Sequence, residues 1–190
     1  IKKANTQSRN LAQGCQSLQI AVETDWEFTG MTFGSNSAAS SEYVVTLLGA
    51  VSTIFQSNTG IQLQLSYLRL WETSSDPWDA TSTGDQLQEF RVYWEIEMDD
   101  VNRHLAHFIS GRNLGGGMAF LSGVCTTNFG YAVSANMRGS FPLPLEDNHW
   151  NNWDVMVVAH ELGHNCSSWH THDYSPPIDN CGNGDCSDAF

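Results

Sequence analysis

The residues that could do chemistry sit together between positions 160 and 170. His160-Glu161-Leu162-Gly163-His164 reads H-E-x-x-H inside a helical pattern. Residues i and i+4 share one face of a helix, so both imidazoles can reach a single metal ion. Glu161 is one step from His160 and rotated aside from the metal-facing line. Its carboxylate can therefore touch an activated water without being a ligand. Zinc brings the pKa of such a water toward neutrality, and the carboxylate takes the proton as the water attacks a peptide carbonyl. A catalytic zinc needs three protein ligands and one open position. His170 lies six residues beyond His164, the spacing that closes a three-histidine site. The bland reading of H-E-x-x-H is an ordinary polar helix turn, but the third histidine at this spacing favours a metal. His172 competes for the third place, and spacing favours His170. His149 has no motif support and reads as a loop residue. His104 and His107 read as surface or capped histidines on a helix.

These groups need a scaffold. Trp153 to about Cys166 reads as the helix that carries the motif. Upstream, Leu18, Ile20 and Val22 alternate with polar residues as in a strand, and residues 30–40 read as a loop. From about Ser41, apolar residues recur at spacings of three and four from Val44 to Phe55, an amphipathic helix with Gly60 as its stop. Ile61, Leu63, Leu65 and Tyr67 alternate strictly, giving a second strand that runs to Trp71. Residues 72–84 form a loop. Leu87, Phe90, Trp94, Met98, Val101, Leu105 and Phe108 then predict a long second helix ending near Gly111. Met118–Val124 and Tyr131–Ala135 are short apolar strands, and 140–150 is a Pro-containing loop. The order predicts an α/β (α+β) domain with a mixed sheet.

Composition narrows the function. With 8 basic and 21 acidic residues the net charge is −13. Nucleic acid and anionic membranes both need a basic footprint, so neither is an expected partner. No run of residues is long and apolar enough to suggest a membrane span. The acidity reads first as a solvated surface and second as a preference for cations or basic peptides. Cys15, Cys125, Cys166, Cys181 and Cys186 contain no C-x-x-C pair, which argues against a cysteine zinc site. The cysteine count and the scarcity of lysine predict disulfides and a secreted, extracellular setting.

The stretch Ala159–His170, AHELGHNCSSWH, resembles the metzincin zinc signature, and most closely that of the adamalysin/reprolysin-like metallopeptidases. Val44–Phe55 followed by IQLQLSYLRLW resembles that family's first long helix and second strand. NRHLAHFISG resembles its second helix, and GGGMAFLSGVC its edge strand. The resemblance implies a mostly parallel twisted sheet above the active-site helix. It implies a zinc endopeptidase with His160, His164 and His170 as ligands and Glu161 as general base, acting on protein or peptide substrates. It also implies that Gly117, Met118, Ala119, Phe120 and Leu121 pair with an extended substrate. A pro-segment or C-terminal domains outside this chain are implied partners.

Three departures stand out. Ser167 replaces the signature glycine, which serves a turn that favours positive φ. Thr171 stands where the family has Asp after the third histidine, and Asp173 comes two residues later. No methionine follows His170, whereas the family has a methionine turn there. Residues 1–190 are accordingly expected to be one catalytic domain that stops before that turn, with 1–166 as upper subdomain and 167–190 as the start of the lower one. The resemblance pairs the counterpart of Cys125 with a cysteine near the domain's C-terminus, a partner this chain would lack. Cys181 could join Cys186, or either could reach Cys166. Calcium is a further implied ligand. Glu23 matches a carboxylate position, although His104 stands where the family usually has Asp. The run Asp179, Asn180, Asn183, Asp185, Asp188 offers oxygen ligands without EF-hand spacing. The alternative to an enzyme is a catalytically incomplete zinc-binding fragment or a module that binds peptides or a partner.

Overall fold

A computed structural model describes residues 16–124, 126 and 128–179. Five strands form one sheet in the order β2-β1-β3-β5-β4, where β1 is Gln16–Thr24, β2 Ile61–Arg69, β3 Leu105–Ile109, β4 Gly117–Ala119 and β5 Tyr131–Ser134. The pairs β1–β2, β1–β3 and β3–β5 are parallel, and β4 runs antiparallel to β5 at one edge. Helices α1 (Ser37–Thr59) and α3 (Trp153–Asn165) cover one face, and α2 (Thr83–Glu97) covers the other. This is the expected α/β architecture with a mixed, mostly parallel sheet.

Local chemistry explains the helix limits. Asn36 caps α1 by accepting from the Ala39 N–H at 3.1 Å, and Gly60 ends it at φ 75°, a left-handed conformation that glycine adopts without strain. Ser82 caps α2 by accepting from the Asp85 N–H at 3.2 Å. On the first face, Val44, Leu47 and Val51 of α1 meet Ile20, Val22, Leu105 and Ile109 of the sheet and Val158 and Leu162 of α3. On the second, Leu87, Phe90 and Trp94 of α2 pack on Ala106, Phe108, Tyr131 and Val133. Each fully buried side chain of this size contributes about 1.5–3 kcal/mol, so the sheet is clamped from both sides.

Several expected boundaries move. The second helix stops at Glu97, and Leu105–Ile109 is the central strand β3, buried at every position. The segment NRHLAHFISG therefore holds a strand at Leu105–Ile109 in place of a helix, and His104 and His107 are not helical. A parallel strand covered on both faces is apolar throughout rather than alternating, so Val101, Leu105 and Phe108 matched a helical period by coincidence. Within the expected 30–40 loop, α1 already begins at Ser37, preceded by a π-helical turn at Glu27–Thr32. Strand β2 ends at Arg69 rather than Trp71, and the Trp71 indole donates to Glu23 at 2.6 Å.

That contact bears on calcium. The buried Glu23 carboxylate accepts from Trp71 and, at 2.7 Å, from the Trp94 indole, with Arg69 3.6 Å away. Burial raises its pKa, and the indole and Arg69 contacts oppose that rise. Its oxygens are thus committed to the core. His104 accepts from the Gln19 N–H at 2.8 Å. Neither belongs to a group with metal-ligand geometry among the described residues. Asp179 accepts from the Thr171 hydroxyl at 2.6 Å, and Asn180, Asn183, Asp185 and Asp188 lie outside the described residues. So do Cys15, Cys125, Cys181 and Cys186; Cys166 is half-buried against the α1–α3 core.

Candidate metal centre

Helix α3 is fixed at both ends before any ligand is considered. At its start, the buried Asp154 carboxylate accepts from the Tyr43 hydroxyl at 2.6 Å and from the Arg138 and Gly139 N–H groups at 2.9 Å. A carboxylate in the first turn also complements the helix dipole. Burial raises the pKa of Asp154, and these hydrogen bonds counter it. At the other end, Asn165 donates to the Phe120 carbonyl at 2.9 Å and the Tyr131 carbonyl at 3.1 Å. The His164 and Asn165 carbonyls in turn accept from the Ser122 and Val124 N–H groups at 2.9 and 3.1 Å.

The chain then reverses. Ser167 takes φ 75°, its N–H donates to His164 O at 2.9 Å, and the Ser168 N–H donates to Gly163 O at 2.9 Å. The serine therefore occupies the left-handed turn that the signature glycine would fill. The following residues run back alongside the helix and deliver His170.

Three imidazoles converge. The Nε2 atoms of His160 and His164 lie 2.9 Å apart, those of His164 and His170 3.1 Å, and those of His160 and His170 3.3 Å. Tetrahedral ligands at a zinc–nitrogen distance of about 2.0–2.1 Å stand about 3.3 Å from one another, so the donor set fits one zinc ion. The second nitrogens are oriented as well. His164 Nδ1 lies 2.7 Å from the Ser168 carbonyl. A carbonyl only accepts, so Nδ1 carries the proton and Nε2 presents its lone pair. His170 Nδ1 lies 3.3 Å from Asp173, whose other oxygen is 3.5 Å from His172 Nε2. His172 groups with His170 and Asp173 and stands outside the three-nitrogen set. Burial lowers the pKa of His160, helped by the charges of His164 and His170, which favours the neutral form that binds metal.

Glu161 is 4% exposed, on the flank of α3 that faces β4. Burial pushes its carboxyl up to about 8. Gly117, Met118 and Ala119 form β4, the Phe120 N–H donates to Tyr131 O at 3.2 Å, and Leu121 begins an exposed turn. A cavity of about 460 Å³ adjoins His160, with Ile54, Leu145, Val155, Met156 and Ala159 as apolar lining and Asp147, Asn148 and Asn152 as polar lining. The remaining histidines stand apart from the centre. His149 accepts from the Asn151 N–H at 3.1 Å, and His107 is buried in β3 with Nε2 2.8 Å from the Ser134 hydroxyl.

Two orienting groups were not read from sequence. The Ser168 carbonyl has no side-chain signature. Asn165 did carry one, being a polar residue on the buried line of α3 directly after the second histidine.

The family model of metallo-peptidase family M12 matches residues 16–189. No curated protein matches the chain. A solved structure described as "Structure of a chaperone-substrate complex" is similar in fold, with a TM-score of 0.59 at 12% identity over 82% of this chain. This chain spans 24% of the length of that one. The match across nearly all described residues, with three histidines converging beside a helix-borne glutamate, places the chain in metallo-peptidase family M12 as a metzincin-type, reprolysin-like domain.

Proposed function

We propose that this domain is a zinc-dependent endopeptidase in which Glu161 is the general base. The observation that carries the reading is the convergence of three imidazole nitrogens within 3.3 Å of one another, next to a buried glutamate on the same helix. His160, His164 and His170 would hold the ion. When bound, zinc supplies a Lewis acid that polarises a peptide carbonyl and acidifies water near neutral pH. Glu161 takes the proton of the attacking water and delivers it to the leaving amine nitrogen.

Strand β4 supports an extended substrate. It pairs with β5 on one side and is the sheet edge on the other. An edge strand presents unpaired N–H and C=O groups, so a peptide laid along residues 117–121 adds a strand to the sheet. Secretion is part of the same reading and rests on the cysteine content.

The test is cleavage of a denatured protein, with zinc quantified on the same sample and Glu161→Ala run in parallel. The wild type should hold about one zinc and cleave. Glu161→Ala should keep the zinc and lose about 10²–10⁴-fold in kcat. Zinc binding without cleavage by either protein would instead support a peptide- or partner-binding module.

A further inference from the structure

Three consecutive glycines lead into the edge strand, and they are glycines for different reasons. Gly115 and Gly116 have φ of 102° and 118°, conformations that other residues rarely adopt. Nothing lies within 4 Å of where a Cβ on Gly116 would stand. Gly117 is the reverse case. Its φ is outside the left-handed region, so its backbone asks for no glycine. A Cβ there would instead stand 2.7 Å from both Cγ and Cδ of Glu161 and closer still to Oε1. Carbon atoms pack at about 3.5–4.0 Å, so a methyl group and the present Glu161 side chain exclude each other.

We propose that the absent side chain of Gly117 sets the position of the Glu161 carboxylate, which makes Gly117 a positioning residue for the general base. The proposal rests on the peptidase reading above. Neither backbone can retreat easily. Cγ is near the root of the glutamate side chain, and α3 is held at Asp154 and Asn165. Strand β4 is held in turn by β5, with Gly117 opposite Ser134 and Met118 opposite Val133. A methyl group at 117 would therefore be relieved by rotating the carboxylate away. The metal ligands lie on the neighbouring face of α3 and would stay in place. Misplacing a catalytic group by about 1 Å can cost of the order of 100-fold in rate.

The experiment compares Gly117→Ala with wild type for kcat, KM and bound zinc. Thermal midpoints are then measured for Gly117→Ala, Glu161→Ala and the double variant. The expected result is a kcat at least tenfold lower, KM within about threefold of wild type, and zinc unchanged. The midpoint lost in Gly117→Ala should not be lost again when the same change is made in Glu161→Ala, because the clashing side chain is gone. That comparison decides the contact even where Gly117→Ala alone folds poorly. A raised KM with unchanged kcat overturns the proposal and assigns the glycine to substrate approach. An equal loss of midpoint in both backgrounds overturns it too. A wild type that cleaves nothing removes the peptidase reading instead, while the midpoints still report the contact by themselves.

Discussion

Asn165 donates to the carbonyl of Phe120 at 2.9 Å and so ties the end of the ligand-bearing helix to the segment leaving the edge strand. A second bond from the same nitrogen reaches Tyr131 O at 3.1 Å. Asn165→Ala takes this donor from the Phe120 carbonyl and leaves the Tyr131 carbonyl with the Phe120 N–H alone, at a buried site. It should lower the free energy of unfolding by about 1–3 kcal/mol, measured by urea denaturation of the zinc-loaded protein. A change below about 0.5 kcal/mol would show that the helix end is held by the Ser122 and Val124 amides alone.

Asp173 stands 3.3 Å from His170 Nδ1. Carboxylates in that place fix the imidazole and raise its basicity. Asp173→Asn should weaken zinc binding about 10–100-fold, read by competition with a chelator of known affinity. Thr171→Ala, at the residue after the third histidine, should not weaken it to a similar degree.

Ser167 holds φ 75° at the turn between the second and third histidines. A side chain there costs about 1 kcal/mol relative to glycine, partly offset by the freedom glycine adds to the unfolded chain. Ser167→Gly should raise stability by about 0.5 kcal/mol, seen as a higher thermal midpoint with zinc content unchanged. A lower midpoint would mean that the serine hydroxyl contributes more than its backbone costs.

Burial holds the pKa of His107 down to about 3, below its ordinary value of 6.5. The unfolded chain therefore binds a proton that the folded chain refuses. The stability associated with neutral His107 is full above pH 6.5 and is lost as pH falls toward 3. His107→Asn should flatten the dependence of the unfolding free energy on pH between 6.5 and 3, measured with denaturant at several pH values. An unchanged slope would place the acid sensitivity on other groups.

The helix of the motif was legible because its evidence is redundant: two histidines four apart, a third six beyond, and apolar residues at helical spacing. Helix α1 was legible at its end because Gly60 supplies a backbone conformation few other residues accept. Strand β3 was not, since a strand apolar on both faces loses its alternation and borrows a helical period from its neighbours. The π-helical turn at Glu27–Thr32 has no side-chain signature to read. At the metal centre the ligand spacing could be read from side chains, whereas the Ser168 carbonyl could not. A backbone acceptor is the same in every residue, and only the turn at Ser167 places it.

The double anchoring of α3 gives the zinc a mechanical part. Through Asp154 and Asn165, His160 and His164 belong to one rigid block with the sheet and its edge strand. His170 arrives on the far side of the reversal at Ser167, on the short stretch that follows it. An ion shared by the three histidines therefore works as a latch across a hinge, with two attachments on the block and one on the arm. Withdrawing it frees the arm first, so the stretch after Ser167 should be the earliest target of a probing protease while the sheet and its helices stay intact.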